Sequence, residues 1–283
     1  MLIRCQRAVM QIFDDNSAQE FLSLAEAQRI TGIKSFIWKV CNRLQAHARC
    51  MKICTKIDEI LAQKLNQTLI KITLSELVEC DVHVRQAILD KYGPEIINND
   101  LFIKIDGGHK EDIQANFLIS GRVYNPNWFI ALNTYCVIAG NECKPDVGVW
   151  FQRPTYQQLH NPIANACPPP NVYIEVFYNC DSDRQCAFDK LVVIQQNFPA
   201  IEFVGIALPD RQDPFHQNPN PGVASAPSTP ENSSNVRPNC APYFIYWNGT
   251  NVTYYKFNWN EHLVLGCGWT LELNNVLGSI SRP

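Results

Sequence analysis

The sequence has no long apolar run and no excess of positive charge. None of its hydrophobic stretches approaches the roughly 18 apolar residues that a membrane-spanning helix requires, and Met1 to Arg7 lack the apolar core of a secretory signal peptide. The net charge is −3, with 24 Lys and Arg against 27 Asp and Glu, so the chain as a whole does not attract polyanions. We therefore expect an intracellular protein, cytoplasmic or nuclear, that does not contact a membrane.

The 12 cysteines are spread over the chain and form no compact framework. In a reducing compartment such residues remain free thiols and pack as small hydrophobic side chains. Cys50 with Cys54, and Cys80 with His83, are not followed by a second pair at zinc spacing. The sequence therefore indicates neither a disulfide framework nor a zinc site.

The organisation of the 283 residues predicts two domains. Hydrophobic residues at helical spacing, ending at Gly93-Pro94, predict that residues 1–100 form a helical module and that residues 55–100 are helical within it. Residues 101–283 contain the predicted strands. Residues 209–242 are rich in Pro, Asn and Ser and poor in apolar residues, which predicts a disordered insertion.

The helical module contains a motif with two open interpretations. Ser23 and Glu26 form a capping box, and Thr31-Gly32 separates this predicted helix from the next. The pattern Glu-Ala-X-Arg-hydrophobic-X-Gly-hydrophobic, from Glu26 to Ile33, resembles an excisionase-type helix-turn-helix. Nine Lys and Arg against four Asp and Glu in residues 1–56 supply cations for DNA phosphates. Two amphipathic helices joined at a glycine are equally typical of a helical bundle.

Two acids in the second part of the chain lie in strand-like surroundings. Asp146 follows Pro145 and precedes Val-Gly-Val-Trp, and Glu175 stands between Ile174 and Val176. A carboxylate in an apolar strand loses hydration when the sheet packs, which is costly unless a cation compensates for the loss. Because carboxylate oxygens and water are the ligands that Mg²⁺ prefers, the pair indicates a divalent metal site.

The predicted elements around these acids follow a definite order. A helix over Lys110–Ser120 comes first, and the acids Glu111 and Asp112 in its first turn suit the helix dipole. The later elements are strands at residues 128–138 and 146–150, a central strand at 172–178, a helix at 183–197, a strand at 201–208 and two C-terminal hairpins. This order predicts an α+β fold.

Pro145-Asp146, then Glu175-Val176, then a helix that carries Lys190 resembles the PD-(D/E)XK nuclease superfamily, and within it the Uma-type putative restriction endonuclease family. The resemblance covers about residues 109–208. It implies a restriction-endonuclease-like mixed sheet flanked by helices and Mg²⁺-dependent hydrolysis of DNA phosphodiester bonds, with Mn²⁺ as the alternative ion. Asp146 and Glu175 would hold the metal, and Lys190 would position or activate the attacking water. In the superfamily the first helix often presents an acid toward the metal, which here would be Glu111 or Asp112.

One position departs from the superfamily motif. The lysine expected two residues after the glutamate is Phe177, so Lys190 has to act from the helix. Two alternatives to an endonuclease stay open: a catalytically inactive, nucleic-acid-binding descendant of the fold, and a protein-interaction module in which Asp146, Glu175 and Lys190 form a buried ion network. The sequence leaves the oligomeric state open, a dimer included.

Overall fold

The computed structural model describes residues 31–64, 69–77, 80, 82–104, 108–208, 243–249, 252–256 and 262–276. The chain divides into two compact units, Met1–Ile53 and Cys54–Pro283, and the boundary predicted near residue 100 lies inside the second unit. The capping box at Ser23 and the predicted insertion at 209–242 lie outside the described residues, so both stay predictions. None of the helices in the described ranges is long and apolar enough to cross a membrane.

The described residues form helices and strands that alternate along the chain. The helices are α1 Thr31–Gln63, α2 Val82–Tyr92, α3 Gly108–Tyr124, α4 Tyr156–His160, α5 Asp181–Asn197 and α6 Leu273–Val276, with a 3₁₀ turn at Ser75–Leu77. The strands are β1 Leu69–Thr73, β2 Glu95–Ile97, β3 Asp100–Lys104, β4 Phe129–Leu132, β5 Cys136–Ile138, β6 Asn141–Cys143, β7 Val147–Trp150, β8 Val172–Tyr178, β9 Glu202–Leu208, β10 Tyr243–Trp247, β11 Val252–Lys256, β12 His262–Val264 and β13 Thr270–Glu272.

An antiparallel sheet in the order β1-β3-β2-β6-β5 begins in the segment predicted to be helical. The prediction that residues 55–100 are helical is therefore wrong at β1 and β2. In β1 the exposed Lys71 and Thr73 alternate with the buried Ile70 and Ile72, as expected for a strand with one covered face. Five residues are too few for this alternation to be distinguished from a helical period in the sequence.

A six-stranded mixed sheet in the order β11-β10-β9-β8-β7-β4 is the centre of the second unit. Only β8 and β9 in this sheet are parallel, and α5 makes the crossover between them. The predicted hairpins are both present: β10 with β11 extends the six-stranded sheet, and β12 with β13 forms a separate two-stranded sheet. The combination of helices with a sheet that contains both parallel and antiparallel pairs confirms the predicted α+β class.

Strand β8 is buried on both faces, and its alternation decides where Glu175 points. The even-numbered residues of 172–178 pack in one hydrophobic core with α3. Tyr173 and Phe177 pack in the opposite core with α5 and the five-stranded sheet. Because residues two apart on a strand share a face, Glu175 is directed toward α5 and the five-stranded sheet.

Candidate active site

The structure brings the three predicted site residues together. Asp146 directly precedes β7, Glu175 lies in β8 and Lys190 lies in α5, and each is at most 1% exposed. The Nζ atom of Lys190 lies 2.8 Å from Glu175 Oε1. Asp146 is fixed against the same strand, because its Oδ2 accepts a hydrogen bond of 2.6 Å from the backbone N–H of Val176.

Lys104, which the sequence pattern did not single out, joins the two acids. It is the last residue of β3, and its Nζ contacts Glu175 Oε1 and lies 3.5 Å from Asp146 Oδ1. Its side chain is 5% exposed. The signal available in the sequence was a lysine at the end of the apolar run Leu-Phe-Ile, which places a cation at the edge of a core.

A third acid, Glu95 of β2, faces the same lysines. Its Oε2 lies 2.6 Å from Lys190 Nζ and 3.7 Å from Lys104 Nζ. Its Oε1 accepts a hydrogen bond of 2.6 Å from the backbone N–H of Lys144. Glu95 is followed by two isoleucines, so it carries the same signal of an acid among apolar residues that marked Glu175.

A second buried ion pair lies at the end of β8. Lys110, in the first turn of α3, places its Nζ 2.8 Å from Oδ2 of Asp183, in the first turn of α5. The same oxygen accepts a hydrogen bond from the backbone N–H of Tyr178 at 2.8 Å. Glu111 and Asp112, the metal-facing candidates of this turn of α3, are exposed. Because both side chains are exposed, neither faces the buried acids, whereas the neighbouring Lys110 is buried.

The charges of this network do not cancel. Three carboxylates (Glu95, Asp146 and Glu175) face two ammonium groups (Lys104 and Lys190), which leaves one formal negative charge when all five groups are ionised. The Lys110–Asp183 pair is neutral and does not change this balance. A buried charge without compensation is costly, so the network favours the uptake of a proton or an added cation.

The pKa values of the two predicted metal ligands move in opposite directions. Burial, together with the negative charge of Asp146, raises the pKa of Glu175 to about 7. Burial also acts to raise the pKa of Asp146, but the ammonium groups of Lys104, Lys110 and Lys190 outweigh it and hold this pKa below its ordinary value. Asp146 therefore stays ionised at neutral pH, whereas Glu175 exchanges a proton there.

Lys190 remains protonated despite its burial. Burial alone would lower the pKa of this amine, but the carboxylates of Glu175 and Glu95 outweigh that effect and raise the pKa above its ordinary value. The side chain is therefore a fixed positive charge and hydrogen-bond donor at neutral pH rather than a base.

Phe177 fills the position that the superfamily motif gives to lysine. It is fully buried in the core shared by α5 and the five-stranded sheet. The ammonium groups at Glu175 come instead from β3, through Lys104, and from α5, through Lys190. Cationic groups thus reach the glutamate from two neighbouring elements rather than from its own strand.

The oxygen atoms of the acid pair fit a hard cation. Asp146 Oδ1 and Glu175 Oε1 already share the ammonium group of Lys104. Glu175 Oε2 is buried and has no hydrogen-bond partner among the described residues. Within the same residues, no group of three or more His, Cys, Asp or Glu side chains could hold a metal ion. Carboxylate oxygens are donors that suit an ion such as Mg²⁺, which is held by about one or two carboxylates and takes its other ligands from water and substrate.

Comparison with known proteins gives similarity to solved structures. No family model and no curated protein matches the chain. Among solved structures, the chain is similar to the crystal structure of a "putative nuclease belonging to DUF820" from Anabaena variabilis ATCC 29413. The sequence identity is 13%, the TM-score is 0.45, and the match covers 74% of this chain and 99% of that chain.

Proposed function

We propose that the protein is a metal-dependent endonuclease that hydrolyses DNA phosphodiester bonds at the buried acids. The observation that carries the proposal is the convergence of Asp146, Glu175 and Lys190 from three separate elements on one point of the sheet. Apolar residues of similar volume often stabilise a core as well as a buried ion pair does. Charged groups that are buried at a cost in desolvation free energy, and that have shifted pKa values, are typical of catalytic sites.

Asp146 and Glu175 would hold the Mg²⁺ ion, with Mn²⁺ as the alternative. When bound, the metal would lower the pKa of a water molecule and neutralise charge on the scissile phosphate. Asp146 suits this role because it stays ionised and its Oδ2 is fixed by the Val176 N–H. Glu175 Oε2 is the oxygen available to orient the attacking water.

Lys190 would act as a positioned cation in the reaction. Its high pKa keeps the ammonium charged at neutral pH, and its contact with Glu175 Oε1 holds it beside the predicted water site. From there it would donate a hydrogen bond to the water or to a phosphate oxygen, where negative charge increases in the transition state. Support for DNA as the substrate comes from the family resemblance and from the basic composition of residues 1–56.

The test is a cleavage assay with supercoiled plasmid DNA and matched single-stranded DNA and RNA, in Mg²⁺ or Mn²⁺ and in EDTA. We expect the wild type to cleave DNA only with a metal, and Glu175→Gln to be at least about 100-fold slower. Glu111→Gln is the matched control, because it removes the same charge from an exposed position. Cleavage that persists in EDTA, or equal rates for the wild type and Glu175→Gln, would show that these acids are not the active site.

A second candidate function is DNA binding without hydrolysis. The observation that favours it is the cation already on the acid pair: Lys104 bridges Asp146 and Glu175 inside a site whose side chains are at most 5% exposed. In the same assay this function gives a mobility shift of DNA in EDTA and no cleavage with either metal.

A further inference from the structure

The ammonium group of Lys104 lies where a metal ion between the acids would lie. Its Nζ contacts Glu175 Oε1 and lies 3.5 Å from Asp146 Oδ1 and 3.7 Å from Glu95 Oε2. Three carboxylates from β2, the start of β7 and β8 thus surround one nitrogen atom. An amine on a four-carbon stem can hold this position in one state and give it up in another.

We propose that Lys104 is a built-in competitor for the metal ion, whose ammonium group leaves the acids when a divalent cation binds. The inference rests on the proposed function only in taking Asp146 and Glu175 as metal ligands. By competing for the acids, Lys104 sets the metal concentration at which the site binds the ion.

The charge balance of the network favours exchange over addition. With both lysines in place, the three carboxylates leave one negative charge. A divalent ion added to this arrangement would leave one positive charge, whereas a divalent ion that replaces Lys104 leaves the network neutral. Because uncompensated charge is costly in a core, the metal and the Lys104 ammonium group exclude each other.

Position and exposure select Lys104 rather than Lys190 as the group that leaves, although Lys104 Nζ is in direct contact with Glu175 Oε1. Lys190 is 0% exposed, and its Nζ lies 2.6 and 2.8 Å from two different glutamates. Lys104 ends its strand, is 5% exposed, and lies at 3.5 and 3.7 Å from two of its three acids. The stem of a lysine can stay against apolar surface while its charged end turns to water, so Lys104 can leave without unpacking α5.

The first test is calorimetric titration of Mn²⁺ into the full chain, with Lys104→Met and Lys71→Met as the variants. We expect Lys104→Met to bind Mn²⁺ at least about tenfold more tightly than the wild type, because a cation in contact with Glu175 and 3.5 Å from Asp146 is removed. Lys71→Met removes a lysine that is 49% exposed, and its affinity should equal that of the wild type. An unchanged or weaker affinity of Lys104→Met, or no Mn²⁺ binding to any of the three proteins, would overturn the proposal.

The second test needs no substitution. Acetic anhydride labels exposed amines, and mass spectrometry measures the label on each lysine of the wild type with and without Mn²⁺. We expect Mn²⁺ to raise the labelling of Lys104 several-fold and to leave Lys190 unlabelled; equal labelling of Lys104 with and without the metal would contradict the exchange. If both tests succeed and no DNA is cleaved, the proposed hydrolysis fails and the exchange of cations stands.

Discussion

The Lys190→Met variant is expected to lose about 3–5 kcal/mol of unfolding free energy, as measured by urea denaturation in EDTA. Lys190 is 0% exposed and is the cation closest to Glu95 Oε2, at 2.6 Å, and it lies 2.8 Å from Glu175 Oε1. Methionine retains the volume but removes the charge. The negative charges of the two glutamates then stay buried with less positive charge beside them. The free-energy cost of this uncompensated charge exceeds the net stabilisation that the intact ion pairs provide.

The control for this prediction is Lys71→Met, which removes a lysine from an exposed ion pair. Lys71 Nζ lies 2.6 Å from Asp100 Oδ2, but its side chain is 49% exposed, so water screens the pair. We expect a loss of less than about 1 kcal/mol. Equal losses of unfolding free energy for the two variants would mean that water screens the charges of the network as it screens an exposed ion pair.

The second large effect concerns the acids themselves. Asp146→Asn is expected to slow DNA cleavage about 1,000-fold in single-turnover assays with Mn²⁺, because an amide is a poor ligand for a hard cation. The amide oxygen can still accept the hydrogen bond from Val176 N–H that fixes the side chain. Circular dichroism and urea denaturation check that the variant remains folded.

The double variant Asp146→Asn/Glu175→Gln separates a joint role from two independent ones. Residues that hold one metal act as a unit, so the double variant should be about as slow as either single variant. If the two losses instead multiply, each acid contributes separately and the shared metal site is wrong. The exposed Glu111→Gln variant again serves as the control for a change of charge.

Asp146 and Glu175 could be predicted because the signal at each acid is local, whereas Lys190 was predicted from the family resemblance. An acid inside an apolar strand is costly wherever the strand packs, whichever face it points to, and the direction of Glu175 follows only from the two cores that cover β8. The order of elements placed the helix of Lys190 on that strand. In the structure Lys190 Nζ lies 2.8 Å from Glu175 Oε1, while the roles of these residues, the metal and the reaction stay predictions.

Glu95 was missed because its segment was assigned incorrectly, and Lys104 because its contact with Glu175 is long-range. Residues 55–100 contain a helical stripe that continues into the short strands β1 and β2, and a helical assignment removes Glu95 from any sheet. Lys104 reaches Glu175 only because the five-stranded sheet and β8 contribute to the same core. That packing joins segments 71 residues apart, and no local pattern contains it.

Lys110 and Asp183 were missed for a different reason. A lysine or an aspartate in the first turn of a helix is usually solvated, and both residues fit that expectation in sequence. Their burial arises because α3 and α5 both begin near the end of β8, where Asp183 accepts from Tyr178 N–H and from Lys110. This is a property of the tertiary packing of two helix ends.

The most direct measurement of the central claim is thermal unfolding of the wild type and of Glu175→Gln, with and without millimolar Mg²⁺ or Mn²⁺. A ligand that binds only the folded state stabilises it by about 2.7 kcal/mol at 100 times its Kd. We predict that the metal raises the Tm of the wild type and leaves that of Glu175→Gln unchanged. No response from either protein, or an equal response from both, would contradict a metal site at Asp146 and Glu175.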